Sequence, residues 1–170
     1  MPTLYIMIGI PGAGKNIYAK NRLSHAEYIG ADALRKELYD KELTLRGYRK
    51  IHRIILERAK ASLCQGKDTL IDCANLSAKA QKRYHSILTP NDRMIAVYVH
   101  TTLRQALANN RSRSRHVPRL GILFMRLRLD FPLMEEGFHE IITVSKPPSF
   151  FGQKKNENYT RQGLHSSPCF

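Results

Sequence analysis

Thr3-Leu4-Tyr5-Ile6-Met7-Ile8 runs without a break into Gly9-Ile10-Pro11-Gly12-Ala13-Gly14-Lys15-Asn16. The first six residues are apolar or β-prone and lack polar alternation, which predicts a strand buried on both faces. The next eight fit GxxxxGK, and Lys15 to Leu23 has helical character. Strand, glycine-rich turn and helix in that order form the context in which this spacing binds a triphosphate. Glycines at 9, 12 and 14 let backbone N–H groups turn inward around an anion. The helix that follows aims its positive end at the same place, and Lys15 adds a mobile charge for the β- and γ-phosphates. Gly9, Gly12, Ala13, Gly14, Lys15 and Asn16 are therefore the expected nucleotide-binding residues. Position 16 departs from the pattern, which has Ser or Thr as a Mg²⁺ ligand. Asn16 offers a carbonyl oxygen instead, on a longer side chain.

Outward from this turn, strands and helices alternate. Glu27-Tyr28-Ile29 reads as a second strand, and Asp32 as the cap of a helix from Ala33 to about Asp40. Tyr48 to Gln65 has helical spacing of Ile51, Ile54, Ile55 and Ala59 and stops at Gly66. Thr69 to Asp72 is a third strand, Ser77 to about Leu88 a helix, and Met94 to Val99 a fourth strand. Leu103 to about Asn110 is helical, Pro118 starts a helix to about Asp130, and Glu140 to Val144 is a last strand. This alternation predicts an α/β fold with a largely parallel sheet. After Lys146 the periodicity ends in Pro, Gly, Ser and Asn, so the expected division is a domain over 1–145 and a flexible basic tail over 146–170.

Composition narrows the partners. The chain has 170 residues, of which 42% are hydrophobic, enough for one ordinary core. Lys plus Arg number 28 against 14 acids, a formal net charge of +14, which points to a polyanionic partner. His100 to Arg128 carries seven arginines and no acid, and Lys41 to Lys67 carries eight basic residues against two Glu. With Tyr39 and Tyr48, the second stretch suits either an acceptor groove or a solvated helix face. Three scattered cysteines, Cys64, Cys73 and Cys169, argue against a zinc site and for a reducing, cytoplasmic setting. No apolar run reaches membrane-spanning length, and the start lacks signal-peptide character. Cys73 is expected as a buried filler, and His52 and His85 as surface or core residues without metal-like spacing.

Five ordered motifs carry a specific resemblance: GIPGAGK, GADALR, LIDCANLS, the NNRSRSRHVP stretch and DFPLMEEGF before the final strand. From Leu4 to about Val144 the chain resembles the small P-loop kinases typified by phage polynucleotide 5′-kinase. These form the AAA domain kinase group, near the zeta-toxin and nucleotide kinases. The resemblance implies a three-layer kinase-type P-loop fold, about five parallel strands in order 2-3-1-4-5, and an arginine-rich helical lid. It implies ATP and Mg²⁺ as cofactors and phosphoryl transfer to a hydroxyl, foremost the 5′-OH end of DNA or RNA.

By the same resemblance, Asp32 is the general base and Arg35 steadies an acceptor phosphate. A carboxylate suits the first task because it orients the hydroxyl and takes its proton as the P–O bond forms. Asp72 and Asn75 would face the acceptor, and Asp72 with Asn16 would hold Mg²⁺, directly or through water. Arg113 is the expected lid arginine on the moving phosphoryl group, with Arg111 and Arg115 as alternatives. Relatives have Thr where this chain has Ala74. Two other readings stay open: a small-molecule kinase acting on a nucleoside, sugar or antibiotic, and a nucleotide-dependent nucleic-acid binder, which Asn16 and Ala74 favour.

Overall fold

The structure is a computed structural model that describes residues 1–38, 45–112, 116–145 and 159–163. A six-stranded sheet with order β2-β3-β1-β4-β5-β6 forms its middle layer. The strands are β1 (Thr3–Ile8), β2 (Glu27–Gly30), β3 (Thr69–Asp72), β4 (Arg93–Val99), β5 (Glu140–Val144) and β6 (Tyr159–Gly163). The first five are parallel. The strand order of the first five is the one the family resemblance implies. The α-helices are α1 (Lys15–Arg22), α2 (Ala31–Leu38), α3 (Leu45–Cys64), α4 (Ala78–Lys82), α5 (Leu103–Arg111) and α6 (Arg119–Leu127).

Side chains alternate across the strands, and each face buries its own set. Leu4, Ile6 and Ile8 of β1, with Met94 and Ala96 of β4, pack on Ile51, Ile55, Ala59 and Leu63 of α3. Met7, Ile95, Val97 and Val99 face the other way, onto Tyr18 and Ala19 of α1, Ala106 of α5 and Ile122 of α6. Both faces of the central strands are thus dry. This is why β1 and β4 read as nearly continuous apolar runs rather than alternating ones.

Several local expectations shift by a residue or a turn. The helix expected from Ser77 to Leu88 starts on Ser77, whose side chain accepts from the Ala80 N–H, but tightens into a 3₁₀ segment over Arg83–Ile87. Pro118 precedes α6 as its cap rather than occupying its first turn. The largest difference is β6, which pairs antiparallel with β5 from Val144↔Tyr159 to Glu140↔Gly163. It comes from the segment expected to be a tail. Tyr-Thr-Arg-Gln-Gly carries no apolar alternation, and an edge strand can be held by its backbone ladder alone. Tyr39, Asp40, Arg113, Arg115 and the rest of the expected tail lie outside the described residues, as does the side chain of Tyr48. No described helix is long and apolar enough to cross a membrane.

Candidate active site

The C-terminal ends of β1, β2 and β3 lie level. Register pairs Met7 with Asp72 and Gly30 with Asp72, so the loops after all three strands open on one place. Ligands of open parallel sheets bind at this edge. Here the edge is a cleft of about 530 Å³ whose lining includes Lys15, Asn16, Asp32, Arg35, Asp72 and Asn75.

The turn after β1 has the backbone that an anion cradle requires. Gly12 has φ 82° and Gly14 φ 95°, left-handed values that a side chain would strain. A Cβ on Gly12 would also stand 2.3 Å from the Ala106 carbonyl oxygen, so α5 closes against the turn only because residue 12 is glycine. Asn109 Nδ2 donates to the Gly12 carbonyl at 2.8 Å, tying α5 to the turn a second time. Gly14 caps α1, whose first turn contains no acid. The N–H groups of that turn have no intrahelical acceptors, and the helix dipole adds a positive field. Lys15 Nζ folds back over the loop, donating to the Gly9 and Ile10 carbonyls at 2.8 and 3.2 Å. A phosphate chain would offer that ammonium stronger, charged acceptors.

The opposite wall is built from α2 and the end of β3. Asp32 does not cap its helix, as the sequence suggests. β2 ends at Gly30 and α2 begins at Ala31, so Asp32 falls inside the first turn. There its carboxylate accepts from Arg35 Nη1, one turn on. The acid is exposed to the cleft while the arginine is largely covered. Asp72 is buried, and its Oδ2 accepts from the Tyr28 hydroxyl at 2.7 Å. Burial, and then the Asp72 charge, push the Tyr28 phenol far above its ordinary range.

Asn75 lines the cleft but is engaged within the fold. Its Nδ2 donates to the Met7 carbonyl at 2.8 Å, and its Oδ1 accepts from Tyr84 at 2.7 Å. At φ 46° it turns the chain after β3 back over β1, and Ala74 O receives the Gly9 N–H at 3.1 Å. The loop after β3 therefore braces the phosphate loop. Cys73 is buried as expected, and burial pushes its thiol up to about 12, so it stays neutral.

His52, Arg83 and Arg128 also line the cleft, although none was among the expected site residues. They come from α3, the 3₁₀ segment and the residue after α6. Burial, then the charges of Arg83 and Arg35, pull the His52 imidazole down to about 4, so it is neutral near pH 7. Arg111 ends α5 exposed to solvent and is not part of the cleft lining. At the end of α5, Asn110 Nδ2 donates to the Val117 carbonyl at 2.8 Å and its Oδ1 accepts from the Val117 N–H at 3.1 Å. This clamp brings His116, Val117 and Pro118 onto the cleft. Among the described residues, no group of three or more His, Cys, Asp or Glu is arranged to hold a metal by protein ligands alone.

Comparison with known proteins agrees with this geometry. The AAA domain family model matches residues 4–132, more than half of the chain. A chain in the structure of the Pnkp1/Rnl/Hen1 RNA repair complex superposes with TM-score 0.67 at 17% identity, covering 75% of this chain and 44% of that one. This chain thus spans less than half of that relative. A gluconokinase from Sinorhizobium meliloti 1021 superposes with TM-score 0.59 at 15% identity, over 86% of this chain and 85% of that one. A sugar kinase from Janibacter sp. HTCC2649 gives 0.58 at 18% identity, over 84% and 85%. At such identities the superpositions speak for the fold, while the family match speaks for descent. With a glycine turn, a lysine and a carboxylate–arginine wall sharing one cleft, the chain belongs to the AAA domain family and has the fold of the P-loop kinases it superposes on.

Proposed function

We propose that the protein transfers the γ-phosphoryl group of ATP to a hydroxyl, foremost the 5′-OH end of a DNA or RNA strand. The observation that carries this reading is the Asp32–Arg35 pair, which stands on the same cleft as Lys15 and Asn16. The loop after β1 holds the phosphate chain through its backbone and Lys15. Asp32 orients the acceptor hydroxyl and takes its proton as the oxygen bonds to the γ-phosphorus and ADP leaves. Arg35 holds the Asp32 carboxylate in place through the hydrogen bond between them, and meets an anionic group of the acceptor. Asn75 acts by positioning the loop. An arginine of the lid, Arg113 before Arg111 or Arg115, covers the charge that spreads over the moving group.

The donor set suits Mg²⁺. Asn16 and Asp72 both line the cleft and both carry oxygen donors, and Mg²⁺ is commonly held by one or two carboxylates while phosphate oxygens and water complete its shell. When bound, it would neutralise charge on the β- and γ-phosphates. A polymeric acceptor is supported by the net charge of +14 and by Arg83 and Arg128 on the cleft, where strand phosphates would lie. The cysteine pattern supports a reducing, cytoplasmic setting.

A second reading has one observation in its favour. The sugar kinases match this chain over nearly their whole length, which suits a small polar alcohol as acceptor. Offering labelled ATP with 5′-OH oligonucleotides and with pooled sugars and nucleosides, in Mg²⁺ and in Mn²⁺, separates the two. Label on the oligonucleotide alone is the expected result. Label on a sugar or nucleoside moves the assignment to the second reading, and transfer to none of them leaves a nucleotide-dependent binder.

A further inference from the structure

Tyr28 stands on the edge strand β2, half exposed, and belongs to neither buried cluster of the sheet. Packing therefore does not explain an aromatic residue there. Its hydroxyl nevertheless crosses to the neighbouring strand and donates to Asp72 Oδ2 at 2.7 Å. Register shows how far it must reach. Tyr28 lies opposite Leu70 and Gly30 opposite Asp72, so the ring has to lie along its own strand, past residue 30. The path is open because residue 30 is glycine. A Cβ there would stand 2.7 Å from both Cε1 and Oη of Tyr28 and 2.9 Å from Cζ.

We propose that Tyr28 is a positioning residue for Asp72. Its phenol sets the rotation of the buried carboxylate, so that one oxygen is held and the other is presented to the cleft, and Gly30 is the residue that permits this. The proposal rests on the reading above that Asp72 serves the nucleotide, its cation or the acceptor. The last torsion of an Asp side chain is broad and roughly two-fold, so a carboxylate at a strand end has no strong orientation of its own. One hydrogen bond from a rigid phenol supplies it. Asn75 steadies the backbone of this corner while Tyr28 steadies the carboxylate itself.

The test uses the full chain with Tyr28→Phe, Gly30→Ala, the double variant and Asp72→Asn. The readouts are the Mg²⁺ concentration needed for half-maximal binding of a fluorescent ATP analogue, label transfer to a 5′-OH oligonucleotide, and thermal unfolding. Tyr28→Phe keeps the ring and removes only the donor. It is expected to raise the Mg²⁺ requirement, and to slow transfer, by about 10-fold or more, the usual consequence of losing a partner that orients a ligand. The unfolding temperature is expected to stay put. Gly30→Ala should reproduce the effect with the phenol still present, and the double variant should be no worse than the single ones, because both act through one hydrogen bond. A Tyr28→Phe protein with an unchanged Mg²⁺ response, beside an Asp72→Asn protein that has lost it, overturns the proposal and leaves the role of Asp72 standing. A Tyr28→Phe protein that only unfolds earlier overturns it in favour of a structural role. Asp72→Asn matching the parent in every readout overturns both. The binding readout does not depend on the acceptor, so a wrong acceptor does not obscure the outcome.

Discussion

The phosphate loop and the wall to which we assign the acceptor share one cleft but are made in different ways. The loop is eight consecutive residues, Gly9 to Asn16, and works largely through backbone. The wall takes Tyr28, Asp32 and Arg35 from one stretch, His52 from α3, Asp72 to Asn75 from the end of β3 and Arg83 from the 3₁₀ segment, and works through side chains. The loop is braced by contacts no ligand is needed to form, such as Asn109 on the Gly12 carbonyl and Gly9 N–H on Ala74 O. The wall's key groups hold each other in pairs, Asp32 with Arg35 and Tyr28 with Asp72. A common anion can be read by backbone, whereas choice among hydroxyls requires side chains in a specific arrangement.

Substitutions should therefore separate nucleotide effects from acceptor effects. The largest is expected at Lys15. Lys15→Ala removes the mobile charge of the loop and should lower transfer by about 10³-fold, the scale of losing a group aimed at transition-state charge. Calorimetry should show weakened ATP binding as well, and unchanged ATP affinity would remove the loop assignment. Asp32→Asn comes next. It should cost about 10²-fold in turnover or more while ATP affinity stays near that of the parent. If ATP affinity falls in step with turnover, the two sides of the cleft are not separable in the way described.

Salt reads the acceptor side as a whole. Each phosphate neutralised on a single strand contributes a slope of about −0.7 in log K against log salt. Raising salt from about 50 to 200 mM should then weaken binding of a 5′-OH oligonucleotide about 20- to 130-fold if three to five phosphates are engaged. ATP, held by a short contiguous loop, should lose far less. Equal salt responses measured by equilibrium titration would count against a polymeric acceptor.

Asn16→Thr is expected to act more mildly and in the opposite direction. It restores the hydroxyl that the motif ordinarily carries, so transfer in Mg²⁺ should rise by about 10-fold or less. No gain in either Mg²⁺ or Mn²⁺ would show that Asn16 is not a handicap. The smallest effect concerns His52, whose imidazole titrates near 4 in the fold but about 6.5 in the unfolded chain. Between those values the unfolded chain binds the extra proton. Stability should accordingly rise with pH from about 4 to 6.5 and keep that gain above. His52→Gln should flatten that part of a denaturant-derived stability curve.

Much of this was legible in the chain because the responsible physics is local. The run Thr3–Ile8 is apolar since both of its neighbours and both of its faces are protein. Glycines at 12 and 14 are visible because the left-handed backbone they adopt excludes most other residues. Asp32 and Arg35 could be paired on spacing alone, three residues apart in a helix. The cap reading of Asp32 failed because nothing local shows that a strand will pass directly into a helix. β6 went unread because its stability comes from the exposed edge of β5 and not from its own pattern.

The amino-acid order by itself determined the α/β alternation, the phosphate loop and the Asp32–Arg35 pairing, each written in residues that touch one another along a strand, a turn or a helical turn. Tertiary structure alone decided that Tyr28 reaches Asp72 past Gly30, that Asn75 braces β1 instead of facing outward, that Asn109 holds Gly12, and that His52, Arg83 and Arg128 join the cleft. These pairs are brought together by strand register and helix packing, whose contacts span up to 97 residues of chain. Spacing along the sequence carries no record of such distances, because it is the closing of the sheet and its two helical layers that sets them.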